Sequence, residues 1–283
     1  MVLLYIPTVQ NLLRREVTAY ASKATGMQIQ VERIDLRFPL NLLVRGVEVI
    51  QQPDTLLSLE SLNVRVQAWP LLKGKVEVDE VTLSQVAVNS ANLIEGMQIK
   101  GVLGRFFLQS HGVDLSNETA VVNRTELSDT HIQLLMTDTT TTPKDTTASA
   151  PVNWKVNLHQ LKLKNVSFGM KLPADSMKMA AYIGEATIDD AKADLKNQFY
   201  GLKQFLLSGA SASYDTGEAQ PSEGFDASHM AVRNIRIGLD SLLYEGRNMN
   251  AVIREITMEE RSGLSITSLT GRLFSNDSII RIP

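Results

Sequence analysis

The sequence contains no cysteine, which excludes disulfide scaffolds, zinc sites with thiolate ligands and cysteine nucleophiles. It also lacks a basic surplus, since 28 lysines and arginines against 31 acidic residues give a net charge of −3. This balance argues against a nucleic-acid partner, because phosphate binding needs a cationic face. Aromatic residues make up 6% of the 283 residues but apolar residues make up 43%, enough for a core in one large domain or two ordinary ones.

Residues that could carry catalysis or ligate a metal are also scarce. The four histidines stand alone in the sequence, and no phosphate-binding loop, nucleophile elbow or dinucleotide fingerprint occurs. Asp189, Asp190 and Asp194 lack the glycine and the distal glutamate of a calcium loop, which favours a solvated charged patch. The sequence therefore predicts no enzyme, no metal and no cofactor. A glycan-active β-protein is the enzymatic alternative, and it would need two carboxylates in one cleft.

No apolar run reaches the length of about 20 residues that a membrane-spanning helix needs. The first six residues are apolar and end at Pro7, without the basic flank and cleavage site of a signal peptide. One interpretation is a buried N-terminal segment. The other is the end of a membrane anchor that begins before this chain. In that case the membrane-proximal residues are Val2, Leu3, Leu4, Tyr5 and Ile6.

Residues 7–26 are predicted to form an amphipathic helix. Pro7 suits the first turn, and Gly26 suits the position after the last turn because it tolerates positive φ. The apolar positions recur at helical spacing and form one stripe. They are Val9, Leu12, Leu13, Val17, Tyr20, Ala21 and Ala24. Such a helix would cover a β-core, a role compatible with a membrane-proximal position.

Beyond Gly26 apolar residues alternate with others, and many are valine or isoleucine, which predicts strands with one dry face. Residues 189–207 are the exception, because a helical spacing there competes with a strand and turn through Tyr200-Gly201. Two polar stretches, 137–151 and 215–224, are predicted loops. The expected segments are a helical segment 1–26, a first β-segment 27–136, a flexible threonine-rich loop 137–151 and a second β-segment 152–283. Strands could still pair across that loop.

One apolar pattern occurs twice with identical spacing. It runs through residues 76–88 and 156–168, where pairs of apolar positions are separated by gaps of three. A gap of three would turn a regular strand over, so each gap predicts either a bulge that restores the face or a tight hairpin. Asp79-Glu80 and His159-Gln160 lack the Gly or Asn that such hairpins prefer, which favours long, bulged, twisted strands.

Repetition of one strand pattern predicts an elongated sheet with an apolar concave face. A ligand, a cap or a second sheet must fill that face, and a plain β-sandwich core is the alternative. Alternation assigns a set of aliphatic residues to the face. These are Val31, Ile34, Leu36, Val64, Val66, Val76, Val78, Val81, Leu83, Val86, Val88, Leu158, Leu161, Leu163, Val166, Ile235, Ile237 and Ile256.

Several segments resemble one known family. Residues 6–10, which open the helix, Thr25-Gly26 and the strands from Ile29 are similar to the N-terminal region of TamB proteins, just after their inner-membrane anchor. The segments 39–42, 46–49 and 54–57 continue the similarity. Residues 64–78 resemble the strand, Leu-Leu turn and strand that TamB shares with its AsmA relatives. The resemblance covers residues 1–135, and from 152 onward it consists of the repeated strand pattern.

The resemblance implies a mainly β fold, an elongated twisted antiparallel β-groove (a β-taco) with an N-terminal amphipathic α-helix. It implies a protein held in the cell inner membrane of a diderm bacterium by its N-terminus, which carries phospholipid through the periplasm towards the outer membrane. The alternative role is a scaffold for outer-membrane protein assembly with a barrel partner. Members of the family are longer and contact that partner through a C-terminal β-domain, so this chain is expected to be an N-terminal part.

Overall fold

The computed structural model describes residues 7–67, 69, 77–91, 93–114, 117–136, 153–217, 220–276 and 279–281. Within these residues an α-helix, α1 (Pro7–Thr25), precedes fourteen strands that all belong to one sheet. The strands are β1 (Gln28–Arg37), β2 (Asn41–Gln51), β3 (Asp54–Val66), β4 (Val78–Asn89), β5 (Met97–Asp114), β6 (Thr119–Met136), β7 (Lys155–Leu172), β8 (Met177–Asp194), β9 (Phe199–Leu202), β10 (Gln204–Asp215), β11 (His229–Glu245), β12 (Asn248–Glu260), β13 (Ser265–Ser275) and β14 (Ile280–Arg281). The predicted mainly β chain is confirmed.

The strands follow one another across the sheet almost in chain order. The path runs from β1 to β8, continues through β10 to β14, and leaves β9 as a short strand that pairs with both β8 and β11. Neighbouring strands are antiparallel, as predicted, except that β6 and β7 are parallel. The sheet therefore continues across the predicted loop 137–151, which lies outside the described residues, and the two β-segments are joined.

Helix α1 agrees with the predicted helical span. Gly26 follows its last turn with a φ of 70°, and its amide donates to the Ser22 carbonyl at 3.0 Å. Of the predicted apolar stripe, Tyr20 is 77% exposed and Ala24 is also exposed. The side chains of the stripe before Tyr20 lie outside the described residues, as do residues 1–6 with the predicted membrane-proximal set.

Polar side chains of α1 cover the free edge of β1. Gln10 donates through Nε2 to the Leu36 carbonyl at 2.9 Å, and Arg14 donates through Nη1 to the Val31 carbonyl at 2.9 Å. Near the other end of the helix, the Ser22 hydroxyl accepts from the Ile29 amide at 3.0 Å. An edge strand exposes a row of unpaired backbone groups that invites pairing with other chains. The helix therefore protects the first edge of the sheet.

The repeated apolar patterns lie on β4 and β7, both unbroken, so the hairpin alternative at Asp79-Glu80 and His159-Gln160 is wrong. At Asp79 the register between β3 and β4 shifts by one residue, as expected for a bulge. In the second gap of each pattern, Gln85 and Asn165 have positive φ values of 49° and 53°. Beyond these residues Val86 and Val166 are half-buried, whereas Val88 and Phe168 are exposed.

These kinks are aligned from strand to strand. The register places one residue of each gap on a line across the sheet, which we call the kink line. It consists of Glu32, Gly46, Glu60, Gln85, Gly104, Asp129, Asn165, Gly184 and Gly209. Small residues are needed where the line is crowded, because a Cβ on Gly104 would lie 2.7 Å from the Asp129 Cβ.

The ambiguous stretch 189–207 is not helical. Strand β8 ends at Asp194, a turn occupies 195–198, and β9 begins at Phe199. The helical spacing of Leu195 and Phe199 arises because this turn separates two residues that occupy different elements. The helix alternative is therefore wrong, and the strand-and-turn alternative is correct. The second predicted loop, 215–224, falls largely between β10 and β11.

Candidate functional site

A continuous line of apolar side chains crosses the sheet. Residues directly paired on neighbouring strands have their side chains on the same face, so the register can be followed from strand to strand. One such line, the central row, runs from β1 to β12 and contains only apolar residues. Its members are Ile34, Val44, Leu62, Leu83, Phe106, Leu127, Leu163, Ala186, Leu207, Ile237 and Ile256.

Three further rows extend this apolar face on both sides of the central row. The second row contains one polar residue, Thr125, and consists of Leu36, Leu42, Val64, Val81, Leu108, Thr125, Leu161, Ile188, Phe205, Leu239 and Ile253. The third row lies beyond the kink line and consists of Val31, Val47, Leu59, Val86, Leu103, Thr130, Val166 and Ile183. The fourth includes Ile29, Val49, Leu57, Val88, Ile132, Phe168 and Ala181.

The opposite face has a different chemistry. Two rows flank the central row on that face. The row on the far side from the kink line is mixed and includes Leu43, Phe107 and Leu206. The row beside the kink line contains only polar and charged residues from β1 to β10. Its members are Arg33, Arg45, Ser61, Ser84, Arg105, Ser128, Lys164, Glu185 and Ser208. Side chains of successive strand residues alternate between faces, so the contrast between the central row and this polar row distinguishes an apolar face from a polar face.

The register brings most of the predicted residues together on the apolar face. The central row holds Ile34, Leu83, Leu163, Ile237 and Ile256, the second holds Leu36, Val64, Val81 and Leu161, and the third holds Val31, Val86 and Val166. Val88 belongs to the fourth row. The other predicted residues lie outside these four rows. Ile235 pairs with Ala210, Leu158 pairs with Ala191, and Val66 pairs with Val78. Val76 lies outside the described residues.

Sequence reasoning missed the members of these rows on the intervening strands, such as Val44, Phe106 and Leu207. A signal for them is present. The signal is an eight-residue pattern with apolar residues at its first, third, sixth and eighth positions. It recurs in β1, β2, β3, β4, β7, β8 and β10. In β5 one of the four positions is Gly, and in β6 two of them are Thr. The pattern was identified in full only in 76–88 and 156–168, because shorter or substituted copies are weaker signals.

The apolar face is not closed over by side chains of the described residues. None of those side chains is fully buried, and only Ile34 (8% exposed) and Ala186 (5%) of the central row fall in the buried class. In the fourth row, Val88, Ile132 and Phe168 are 37%, 39% and 41% exposed. A packed β-sandwich would bury its central rows completely.

Two cavities lie at the sides of the central row, with volumes of about 1000 and 1160 Å³. Among the predicted residues, only Leu158 lines either of them as far as the described residues show. The first is lined by Phe168 and Ala181 of the fourth row together with residues that alternate with the apolar rows, and the second mixes apolar residues such as Leu158 and Leu242 with polar ones such as His159 and Lys192. The predicted residues therefore form an open surface and do not outline an enclosed pocket.

Three histidines contact polar side chains at no recognised motif spacing in the sequence. His159 lies 3.0 Å from an oxygen of Asp190, which also accepts from Lys203 at 2.7 Å. The hydrogen bond from Lys203 is the main cause of the lowered pKa of Asp190. His229 lies 3.1 Å from Asp226, and His131 lies 2.5 Å from the Ser167 hydroxyl.

The acidic cluster considered in the sequence does not converge on one point. Asp190 contacts His159 and Lys203, whereas Asp189 accepts from Gln160 at 3.2 Å. Asp194 instead accepts from the backbone and side chain of Asn197 in the turn after β8. Within the part of the chain that the structure describes, no group of three or more histidine and acidic side chains could hold a metal ion.

The described helix α1 is not apolar enough over its length to cross a membrane, and no other described helix is. A comparison of the chain with protein-family models finds no match, and a comparison with curated protein sequences finds none either. The similarity to TamB proteins therefore depends on the sequence segments given above.

Proposed function

We propose that this chain carries phospholipid along its apolar face. The observation that supports the proposal is the central row, which stays apolar across every strand from β1 to β12 on the main path of the sheet. Strands in a sheet are about 4.8 Å apart, so a row crossing ten strand-to-strand intervals is roughly 50 Å long. An apolar surface of this extent, without a covering layer among the described residues, is typical of an interaction site.

The energetics favour a lipid as the occupant. An acyl chain in water costs about 0.8 kcal/mol for each exposed CH₂ group, so two chains with roughly thirty groups cost on the order of 20 kcal/mol. The apolar rows would remove most of that cost if the sheet curls around the chains. Open sheets of more than about ten strands usually curl, split or flatten. We therefore infer a groove with the apolar face inside and the lipid head group left in water.

The proposed setting follows from the resemblance to TamB proteins. The N-terminus of this chain would anchor it in the inner membrane of a diderm bacterium, and the strands would extend into the periplasm. Lipid would then move towards the outer membrane along the rows, perpendicular to the strands. The proposal assigns no catalytic residue, metal or cofactor, because shielding acyl chains from water requires apolar surface alone.

Photo-crosslinking tests the proposal at neighbouring residues of β7. A photoreactive amino acid replaces Leu163, in the central row, or Lys162, which points to the opposite face as the next residue along the strand. After irradiation in diderm cells, Leu163 should yield covalent phospholipid that mass spectrometry detects, and Lys162 should not. Equal capture at both positions, or capture at Lys162 alone, would contradict lipid carriage on the apolar face.

A scaffold for outer-membrane protein assembly is the second candidate, and the edge strand β13 favours it. Among the described residues, β14 pairs with β13 only at Phe274 and Ser275. Within the described residues, no strand lies beside the preceding part of β13, which carries Arg272 as its charged residue, and an added strand could pair with its backbone. A photoreactive residue at Thr270 should capture polypeptide if this candidate is correct, with no phospholipid at Leu163.

A further inference from the structure

The cavity of about 1000 Å³ is unusually rich in cations for a protein with a net charge of −3. Its lining comes from β5, β6, β7, β8, β10, β11 and the turn after β12, and we call it the basic hollow. The cationic side chains that line it are Lys100, Lys171, Lys178, Arg233 and Arg261. Among the described lining residues, Asp215 alone carries a carboxylate. We propose that the basic hollow binds the phosphate group of an organic ligand.

Most residues that line the basic hollow belong to rows that alternate with the apolar rows. The register aligns Lys100 with Gln133, Gly169, Ala180 and Ser213 across the strands, all of which line it. Gly169, Ala180 and Ser213 have short side chains, so they leave a depression between the longer lysines. Gly169 is open enough that a Cβ built on it would meet no heavy atom closer than 3.9 Å. The bottom of the basic hollow therefore consists of short side chains, and the lysines surround it.

Two of the cations lie at paired positions, where like charges repel one another. Lys171 of β7 and Lys178 of β8 are directly opposite across the sheet. Like charges in this position destabilise a sheet, whereas opposite charges stabilise it. Lys178 also has Asp215 opposite it on its other side, but no ion pair joins these two described residues. A phosphate between the two lysines would replace the repulsion with two attractive contacts.

The other cations are available to a ligand to different degrees. In the described part of the chain, Lys100, Lys171, Lys178 and Arg261 have no side-chain hydrogen bond or ion pair. Arg233 is held by Glu259, whose oxygen lies 3.1 Å from its Nε. Uncompensated lysines around a depression attract an anion, and their charge-assisted hydrogen bonds are stronger than neutral ones.

Neutral donors complete a site that suits phosphate better than a carboxylate. The hydroxyls of Tyr182, Ser211 and Ser213 line the hollow beside the lysines. A phosphate group has three or four oxygens and can accept from several lysines and hydroxyls at once, whereas a carboxylate has two. Tyr182 is 40% exposed and can contact the organic part of the ligand. The ligand can be a soluble phosphate ester or a phospholipid head group.

This site can be tested separately from lipid carriage on the apolar face. Most residues that line the basic hollow alternate with the apolar rows along the strands, and the hollow reaches the apolar face only at the end of the fourth row, through Phe168 and Ala181. No described member of the central, second or third row lines it. Either proposal can fail while the other stands, because each is tested by substitutions on its own face.

Binding of two probes tests the proposal on the complete chain. Isothermal titration calorimetry measures the binding of glycerol 3-phosphate. Flotation measures the binding of the chain to phosphatidylcholine vesicles with and without phosphatidic acid. The test variants are Lys171→Glu/Lys178→Glu and the milder Lys171→Gln/Lys178→Gln. The control is Lys23→Glu/Lys196→Glu, which makes the same change in net charge as the first variant at exposed lysines outside both cavities. Circular dichroism checks that each variant folds.

The unmodified chain should bind at least one probe, and both test variants should bind it about a hundredfold more weakly, since each charge-assisted hydrogen bond is worth roughly a factor of ten. The control should bind like the unmodified chain. Binding of glycerol 3-phosphate assigns a soluble ester, and binding only to phosphatidic acid vesicles assigns a head group. Failure of the unmodified chain to bind either probe overturns the proposal, as does an equal loss in the control.

Discussion

Asn165 of β7 donates through Nδ2 to the Asp129 carboxylate of β6 at 2.8 Å, and both residues have positive φ. The hydrogen bond joins two parallel strands at the kink line. At each of these residues the side chains of the strand stop alternating for one position, so that residues three apart lie on the same face. The pairing with the neighbouring strand is unchanged. The aligned kinks keep the second and central rows on the same face as the third and fourth, so the width of the apolar face depends on them.

Substitutions at Asn165 should separate the backbone requirement from the hydrogen bond. Asn165→Val places a β-branched residue at a φ of 53°, which should lower the free energy of unfolding by about 1–3 kcal/mol. Asn165→Gly also loses the hydrogen bond but keeps the backbone conformation, so it should cost no more than about 1 kcal/mol. Urea unfolding followed by circular dichroism measures both. Equal costs for the two variants would show that the kink needs no residue tolerant of positive φ.

The helix should protect the first edge of the sheet through Arg14. Its Nη1 reaches the carbonyls of Val31 at 2.9 Å and Glu32 at 3.1 Å. Arg14→Ala should leave the partly buried Val31 carbonyl unsatisfied and lower the free energy of unfolding by about 1–3 kcal/mol. Hydrogen exchange should also become faster in β1. The exposed neighbour Arg15 provides the control, and an Arg15→Ala variant with the same loss would refute this role for Arg14.

Acid should destabilise the connection into β11 through Asp226. This carboxylate accepts from the Ser222 amide at 3.0 Å and the Ser228 amide at 2.9 Å, and it lies 3.1 Å from His229. The backbone hydrogen bonds from Ser222 and Ser228 are the main causes of its strongly lowered pKa. A lowered pKa in the folded state contributes stability that is present above the ordinary aspartate pKa of about 4 and is lost as the pH falls.

The Asp226 contribution is measured as a difference between two proteins, because other carboxylates also titrate in acid. Thermal midpoints of the unmodified chain and of Asp226→Asn are recorded between neutral pH and about pH 2. The midpoint of the variant should be lower at neutral pH, and the two should approach each other in acid. A constant difference at every pH would contradict the assigned role of the ionised carboxylate.

Local patterns predicted the elements and their faces because side-chain alternation is a property of each strand alone. Val81, Leu83 and Val86 were assigned to one face from their spacing, and the register places each in one of the apolar rows. The preference for an unbroken strand over a hairpin was correct, since Asp79 and Glu80 lack the turn residues that a hairpin needs. A register shift occurs only near Asp79, so the bulges expected in the other gaps of the two patterns are absent from the described strands. Alternation could not say which strands are neighbours.

Features that depend on pairing between distant segments were not predictable. The parallel pairing of β6 with β7 joins Thr119 to Lys155 across the threonine-rich loop, and no local period signals the direction of a pair. The basic hollow collects residues from several strands for the same reason, so Lys171 and Lys178 gave no sign of facing each other in the sequence. The helical spacing at Leu195 misled because a turn interrupts it.

A single-cysteine scan through β7 tests the central claim most directly. The chain has no cysteine of its own, so a spin label at each position from 161 to 168 reports one site. With phospholipid bound, labels at Leu161, Leu163, Val166 and Phe168 should be accessible to oxygen and shielded from a water-soluble nickel reagent. Labels at Lys162, Lys164 and Ser167 should show the reverse. The alternation of accessibility along β7 should shift by one residue at Asn165. Accessibility that ignores this alternation, or lipid contact on the lysine side, would contradict lipid carriage on the apolar face.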